Sequence, residues 1–193
     1  MKKTIALALF PLIFLFGTAY ANEWLTFDSQ GDPKAKGLWI TVKYPKGWDA
    51  LDDKRPDWVK TFRSRNRIEK TMKLFGLSVM ETPKKTNELL ESLSHEEWVS
   101  LGKKAIPKHA ELRSINRIRH EGRSGLLLSF SAEDEKNGEQ LYTEFDAMIL
   151  FSGNKMVALH CSTTGLDEGQ IASEHVSNTR AVCLQYFNSL NFN

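Results

Sequence analysis

Residues 141–162, LYTEFDAMILFSGNKMVALHCS, contain two apolar runs joined by Gly153-Asn154. A two-residue connection of this kind between runs rich in β-branched and aromatic residues predicts a β-hairpin. A second turn signal, Asn137-Gly138, precedes it, and two more alternating runs lie upstream. The prediction comprises four strands, at residues 112–119, 125–132, 141–151 and 155–162. Together they form a meander of antiparallel strands.

Upstream of the meander, alternation of apolar and polar residues with period two predicts three further strands, at residues 38–44, 58–67 and 72–80. On the second of these strands, we expect Trp58 and Phe62 on the same face. After these strands, Ser94 and Glu97 have the spacing of a helical capping box, and Pro107 ends the helix that it begins.

The C-terminal segment, residues 168–190, has apolar residues at helical spacing and predicts a second helix. The residues of its apolar side are Ile171, Val182, Cys183, Tyr186, Phe187 and Leu190. Runs of strands with one mid-chain helix and one terminal helix predict an α+β fold, in which helices pack on an antiparallel β-sheet.

The N-terminus has the three parts of a secretory signal peptide. Lys2 and Lys3 form the basic region, an apolar stretch of twelve residues follows, and Ala19 and Ala21 supply the small residues of a cleavage site. As a helix, twelve residues span about 18 Å, too short for a hydrocarbon core of about 30 Å. The sequence predicts cleavage after Ala21, export to the periplasm or the medium, and no membrane-spanning segment.

The mature chain, residues 22–193, has no repeat and no linker, and we expect a single domain. The full sequence has 26 basic and 24 acidic residues. Removing the signal peptide and its two lysines leaves 24 of each, so net charge gives no argument for a nucleic-acid partner. The basic stretches also lack the interleaved aromatic residues of a single-strand platform.

Cys161 and Cys183 are predicted to form a disulfide bond, because thiols are oxidised outside the cytoplasm. Strand alternation places Cys161 on the face of Val157 and Leu159, and Cys183 belongs to the apolar side of the last helix. In the chain-entropy model, such a bridge stabilises by roughly 3 to 3.5 kcal/mol. The alternative, a redox-active pair, lacks the C-x-x-C spacing of such sites.

The sequence predicts no catalytic, cofactor or metal site. Five histidines are present, His95, His109, His120, His160 and His175. They do not fall into a metal-binding spacing, and the chain has no nucleophile or nucleotide-binding motif. Alternation places His160 on the opposite face from Cys161, which argues against a Cys–His pair, and His175 is expected at the edge of the core.

Charge is unevenly distributed along the chain. Residues 54–73 and 103–123 are basic, and residues 133–146 carry six acids against one lysine. The candidate face for an anionic partner comprises Arg63, Arg65, Arg67, Arg113, Arg117 and Arg119. The alternative is a solvated strand face that forms cross-strand salt bridges with the acidic segment.

Three tryptophans, Trp39, Trp48 and Trp58, are close together in the sequence. They are expected either to belong to the core or to line a groove for a small ligand or lipid.

The order of the elements, with YPKGW at 44–48, WVKTF at 58–62 and YFNSL at 186–190, resembles the PsbP-like superfamily. That fold is shared with Ran-binding Mog proteins and periplasmic DcrB-like proteins. The resemblance implies an α/β/α sandwich and a binding or assembly role without catalysis. It does not account for the two cysteines.

From these observations we expect a non-catalytic periplasmic module that binds a protein partner. Such a module is an accessory, assembly or immunity factor of an envelope or secretion system. The alternative is a binder of a small ligand or lipid, and a hydrolase with an unrecognised site is the third hypothesis.

Overall fold

The computed structural model describes residues 23–83 and 90–193, so the predicted signal peptide lies outside the described residues. The strands are β1 (Trp24–Asp28), β2 (Ile40–Pro45), β3 (Asp49–Leu51), β4 (Trp58–Asn66), β5 (Thr71–Glu81), β6 (Glu111–His120), β7 (Arg123–Lys136), β8 (Glu139–Ser152), β9 (Lys155–Gly165) and β10 (Asn191–Phe192). The helices are α1 (His95–Ala105), α2 (Glu168–Glu174) and α3 (Arg180–Asn188), and a π-helical turn, His175–Thr179, joins α2 to α3. We call residues 168–188 the last helix.

Seven strands form one antiparallel sheet in the order β3-β4-β5-β9-β8-β7-β6. The predicted meander is therefore confirmed as β6 to β9. A separate three-stranded antiparallel sheet has the order β1-β2-β10 and packs on the same side as the last helix. The strand predicted at residues 38–44 is confirmed as β2, but its place in a separate sheet was not predicted, because β10, which pairs with it, lies at the other end of the chain.

The central strand β9 supplies residues to two cores. Leu159 and Cys161 face the last helix and the small sheet, where they pack with Tyr186. Ala158 faces the other way and belongs to a second core with Trp98 of α1. The arrangement confirms the predicted α+β architecture, with helices on both faces of an antiparallel sheet.

Helix α1 begins and packs as its sequence predicts. Ser94 accepts a hydrogen bond from the Glu97 amide, and the Glu97 carboxylate accepts one from the Ser94 amide, which completes the capping box. At Gly102 an added Cβ would lie 1.9 Å from Ile115, so this position lets the helix approach β6 closely.

Trp58 and Phe62 lie on opposite faces of the sheet, and the prediction that they share one face is wrong. A β-bulge between Trp58 and Lys60 shifts the register of β4 against β5. An extra residue of this kind reverses the alternation on one side of the bulge. Phe62 therefore packs in the core with Tyr186, whereas Trp58 stacks on His160 on the other face.

The predicted disulfide is confirmed. Cys161 and Cys183 are fully buried, and their Cα atoms are 5.8 Å apart. The bond joins the central strand to the last helix within one core. His160 points to the opposite face of β9 and stacks on Trp58, so it forms no pair with Cys161.

Replacing both cysteines with alanine is expected to lower the free energy of unfolding by about 3 kcal/mol, because the unfolded chain loses a cross-link between residues 22 positions apart. Urea unfolding of the variant and of the wild-type protein, followed by circular dichroism, measures the difference. Reduction of the wild-type protein is the control and should give a similar loss. A loss below about 1 kcal/mol would contradict a stabilising role.

Candidate functional site

A cluster of polar side chains is buried between β8, β9 and the last helix. The His175 ring lies at its centre, with Nε2 3.1 Å from Asp146 Oδ2 and Nδ1 3.1 Å from Thr163 Oγ1. Thr163 donates to Thr179 over 3.1 Å, and Ser129 donates to the Asp146 carboxylate. Since the Thr163 hydroxyl proton is directed at Thr179, the His175 Nδ1 carries a proton and donates it to Thr163.

The π-helical turn carries two of these residues toward the sheet. His175 and Thr179 stand at its two ends, and both contact Thr163 of β9. Such turns insert one residue into a helix and are common at functional sites. Asp146 reaches the cluster because it pairs in register with Cys161, on the face of the sheet that the last helix covers. His175 is 4% exposed, so its expected position at the edge of the core is wrong.

The Asp146 carboxylate is ionised despite its burial. Burial alone would raise its pKa, but hydrogen bonds from His175 and Ser129 outweigh this effect, and the charges of His175 and Arg180 add to them. The pKa of Asp146 is therefore lowered. Arg180 Nε lies 3.9 Å from the carboxylate, at the solvent side of the cluster. Asp146 thus has hydrogen-bond partners in His175 and Ser129 and a charge partner in Arg180, as a buried charge requires.

A cavity of about 390 Å³ adjoins the cluster, lined by Arg113, Ser129, Glu144, Phe145, Asp146, Ala172, His175, Val176 and Arg180. Burial raises the pKa of Glu144, and the charge of Arg113, whose Nη2 is 3.7 Å away, opposes this shift. The ion pair between Arg113 and Glu144 also joins the basic segment 103–123 to the acidic segment 133–146.

The buried cluster does not have the geometry of an acyl-transfer site. Thr163, His175 and Asp146 follow one another as hydroxyl, imidazole and carboxylate, but Thr163 is fully buried and donates its proton to Thr179. Ser129 faces the cavity but bonds to the carboxylate rather than to the imidazole. A nucleophile needs a base within hydrogen-bond reach and access to substrate, and neither hydroxyl has both.

A second hydroxyl–imidazole pair lies on the other face of the sheet. Ser78 Oγ is 3.0 Å from His160 Nε2, and Ser78 is 2% exposed. The Trp58 ring stacks on His160 at 4.7 Å, and the Arg55 guanidinium lies 3.4 Å from the centre of the Trp58 ring. Burial, with a smaller effect from the charge of Arg55, lowers the pKa of His160 to about 4. His160 is therefore a weak base that two side chains cover.

The three tryptophans do not line one groove. Trp39 is 43% exposed and donates to Asp28 on the small sheet. Trp58 lies on the far face of the large sheet. Trp48 lines a second cavity of about 390 Å³, with Pro45, Lys46, Ser64, Asn66, Glu69, Thr71, Lys73, Glu174, Asn178, Thr179 and Val182.

The six candidate arginines are not brought to one face. Arg63 and Arg65 belong to β4 and Arg67 to the turn after it. The other three belong to β6, which is five strand spacings, about 24 Å, from β4 in the sheet. Arg113 contacts Glu144 on the side of the last helix, whereas Arg117 lies over Trp98 of α1, 5.2 Å from its ring centre.

One end of the large sheet carries two hairpins of opposite charge. Thr164 of β9 pairs with Met72 on one side and Thr143 on the other, so the β4–β5 and β7–β8 hairpins leave the sheet at the same end. The residues of the basic tip are Arg65, Arg67, Ile68 and Lys70, with one acid among them, Glu69, which accepts a hydrogen bond from Asn66. Those of the acidic ribbon are Glu133, Asp134, Glu135, Lys136 and Glu139. All of them are exposed, and their charged groups form no ion pair with another described residue.

One group of potential metal ligands was missed by the sequence analysis. Single ligand atoms of Asp146, His175 and Cys183 lie within 4.8 Å of one another, and all three residues are buried. No spacing rule indicates this group, because its members belong to a strand and to separate turns of a helix. The register of Asp146 opposite Cys161 brings them together.

The depressed pKa of His160 has a consequence for stability at acid pH. The unfolded chain takes up the His160 proton as pH falls below about 6.5, whereas the folded chain does so only near 4, so stability is lost across that window. Between pH 7 and pH 4 we expect the wild-type protein to lose about 3 kcal/mol more than His160→Gln. Urea unfolding at both pH values measures this, with His109→Gln as the control. Equal losses in wild type and His160→Gln would contradict the burial argument.

No model of a protein family matches the sequence, and no curated protein matches it. The solved structures that are similar to this chain include two whose similarity covers nearly the whole of both chains. Cyanobacterial PsbP (CyanoP) from Synechocystis sp. PCC 6803 has a TM-score of 0.58 and 14% identity, covering 92% of this chain and 96% of that chain. LpqN of Mycobacterium tuberculosis, described as involved in cell envelope biogenesis, has a TM-score of 0.50 and 14% identity, covering 89% and 92%. This chain therefore has the PsbP-like fold.

Proposed function

We propose that this chain is an exported, non-catalytic module of the cell envelope that binds another protein. Such a protein acts as an accessory, assembly or immunity factor of an envelope or secretion system. The PsbP-like fold, the Cys161–Cys183 bond and the signal-peptide pattern of residues 1–21 support this proposal. The likeness to LpqN, itself described as a protein of envelope biogenesis, also supports it.

The observation that carries the proposal is the basic tip. Ile68 is 95% exposed at its apex, and Arg65, Arg67 and Lys70 surround it without ion-pair partners among the described residues. An apolar residue in water among free cations stabilises nothing within the folded chain. It does fit a small interface, in which an apolar anchor is buried and charged groups form the rim.

The acidic ribbon narrows the choice of partner. It projects from the same end of the sheet as the basic tip, about 10 Å away at the base, because β5 and β8 both flank β9. A protein with neighbouring acidic and basic patches complements both hairpins. An anionic membrane does not, since the ribbon extends past β9 and would be repelled from the lipid surface.

Among residues 23–83 and 90–193, no helix has the length and apolar character needed to span a bilayer. Nucleic acid is also a poor fit. The basic tip offers three cations and no aromatic side chain, and the ribbon beside it would repel phosphates.

Reversing the charge of the basic tip is expected to reduce partner capture at least tenfold, because it removes attraction and adds repulsion at the same contacts. The variant is Arg65→Glu with Arg67→Glu and Lys70→Glu. Chemical crosslinking in intact cells, followed by affinity purification and quantitative mass spectrometry, measures the stoichiometric partner of each form.

The matched control reverses three exposed lysines elsewhere, Lys103→Glu with Lys104→Glu and Lys108→Glu, which changes net charge by the same amount. It should capture the partner as wild type does. Equal loss in both variants would point to a non-specific charge effect. Recovery of no stoichiometric partner by the wild-type protein would refute the proposed function.

A second candidate function, binding of a small polar ligand, is favoured by the cavity beside Trp48. The Trp48 ring is held against Phe75 at 4.4 Å, and the Ser64 and Thr71 hydroxyls in the lining form no hydrogen bond with another described residue. One aromatic wall and several free polar groups suit a small polar molecule rather than a lipid chain.

If this cavity is occupied in the cell, native mass spectrometry of protein purified from the envelope will show a bound small molecule. Trp48→Ala should lose the added mass, because the ligand loses its aromatic wall. Trp39→Ala changes an indole outside the cavity and should retain it. An added mass that persists in Trp48→Ala, or none in the wild-type protein, would exclude this function.

A further inference from the structure

Four side chains of metal-binding types meet where β8, β9 and the last helix pack together. Asp146 pairs in register with Cys161, Cys161 is bonded to Cys183, and His175 contacts Asp146. One ligand atom each from Asp146, His175 and Cys183 lies within 4.8 Å of the other two. The sulfur of Cys161 is bonded to the sulfur of Cys183. None of the four residues is more than 5% exposed.

We infer that reduction of the Cys161–Cys183 bond turns this cluster into a site for one Zn²⁺ ion. Two thiolates, an imidazole nitrogen and a carboxylate oxygen are ligands that zinc takes in tetrahedral sites. With bonds of about 2.0 to 2.3 Å, the ligand atoms of such a site stand about 3.5 Å apart. Three of the ligands, from Asp146, His175 and Cys183, already lie within 4.8 Å of one another. Cys161 lies outside that group, and its side chain turns toward the other three once its bond to Cys183 is broken.

The groups that orient zinc ligands are already in place. Metal-binding histidines usually donate their second ring nitrogen to a hydrogen-bond acceptor, and His175 Nδ1 donates to Thr163 Oγ1 at 3.1 Å. Nε2, the other nitrogen, faces Asp146. The Ser129 hydroxyl donates to Oδ1 of Asp146 and so orients the carboxylate. Oδ2 of Asp146 is then the oxygen that would bind the metal.

The charges at the site also balance. Two thiolates and one carboxylate around Zn²⁺ leave a net charge of −1. The Arg180 guanidinium, 3.9 Å from the Asp146 carboxylate, supplies the compensating positive charge. A buried site of this kind is stable when its net charge is small and its ligands are hydrogen-bonded.

The bridge and the metal are alternative states of the same core. A dithiol reductant gives two electrons and two protons, so that the S–S bond breaks, two thiols form and the reductant becomes a disulfide. Zinc then binds the two sulfurs and His175 Nε2, and displaces the thiol protons and any proton on that nitrogen. Both states tie the central strand to the last helix. The inference does not depend on the proposed partner-binding function.

Cobalt(II) is the probe, because its spectrum reports the ligands. Protein reduced with a phosphine, freed of reductant and handled without oxygen is titrated with Co²⁺. We expect one equivalent to produce a thiolate-to-cobalt charge-transfer band and the strong visible bands of tetrahedral cobalt. Equimolar Zn²⁺ should then abolish them. The oxidised protein is the control and should give no charge-transfer band, because its sulfurs are bonded to each other.

The variant His175→Gln distinguishes metal binding at the proposed four-ligand site from metal binding by the two cysteine thiols alone. We expect it to bind Co²⁺ at least tenfold more weakly, whereas His109→Gln, an exposed histidine outside the cluster, should bind as wild type does. Circular dichroism of the oxidised His175→Gln protein establishes that it folds. Zinc should also raise the unfolding midpoint of the reduced wild-type protein but not that of reduced His175→Gln. Equal cobalt affinity in His175→Gln, or no charge-transfer band in reduced wild-type protein whether folded or unfolded, would overturn the inference.

Discussion

The strict alternation of side chains along β9 is the constraint on which the rest of the structure depends. β9 is the central strand of the seven, and its residues belong in turn to the two cores. Leu159 and Cys161 hold the last helix and the small sheet on one face, and Ala158 meets α1 on the other. A slip of one residue would exchange these sets and bury His160 beneath the last helix. The Cys161–Cys183 bond opposes such a slip, because it fixes one β9 residue to the helix that covers it.

The buried polar cluster follows from this register. Opposite Cys161, β8 places Asp146 rather than an apolar residue, and a lone carboxylate there would cost several kcal/mol. His175 offsets that cost, and the π-helical turn is the local deformation that lets His175 and Thr179 both reach β9. The disulfide, the π-helical turn and the His175–Asp146 hydrogen bond therefore all belong to one strand pairing, and ligand atoms of Asp146, His175 and Cys183 lie within 4.8 Å of one another.

Local signals predicted most of the fold, and long-range pairing decided the site. Period-two alternation and the turn at Asn137-Gly138, where both residues have positive φ, were sufficient to predict the meander. The capping-box spacing of Ser94 and Glu97 was sufficient to predict the start of α1. The disulfide was predicted from the expected export and from the apolar faces that carry Cys161 and Cys183. No local signal marks the β-bulge that separates Trp58 from Phe62, since one extra residue leaves the composition unchanged. Likewise Asp146 and His175 are 29 residues apart, and only the helix packing on the sheet brings them together.

The arginines of β6 are better explained by their position than by a shared binding face. β6 is an edge strand, and an exposed edge invites pairing with another chain. Here a β-bulge between Leu112 and Ser114 interrupts its hydrogen-bonding pattern, and Arg117 and Arg119 add charge along it. The other edge, β3, is three residues long. Helices cover the central strands on both faces of the large sheet, and its two edge strands are interrupted or short. Among the described residues, the end of the sheet with the two charged hairpins is therefore the surface that we propose for recognition.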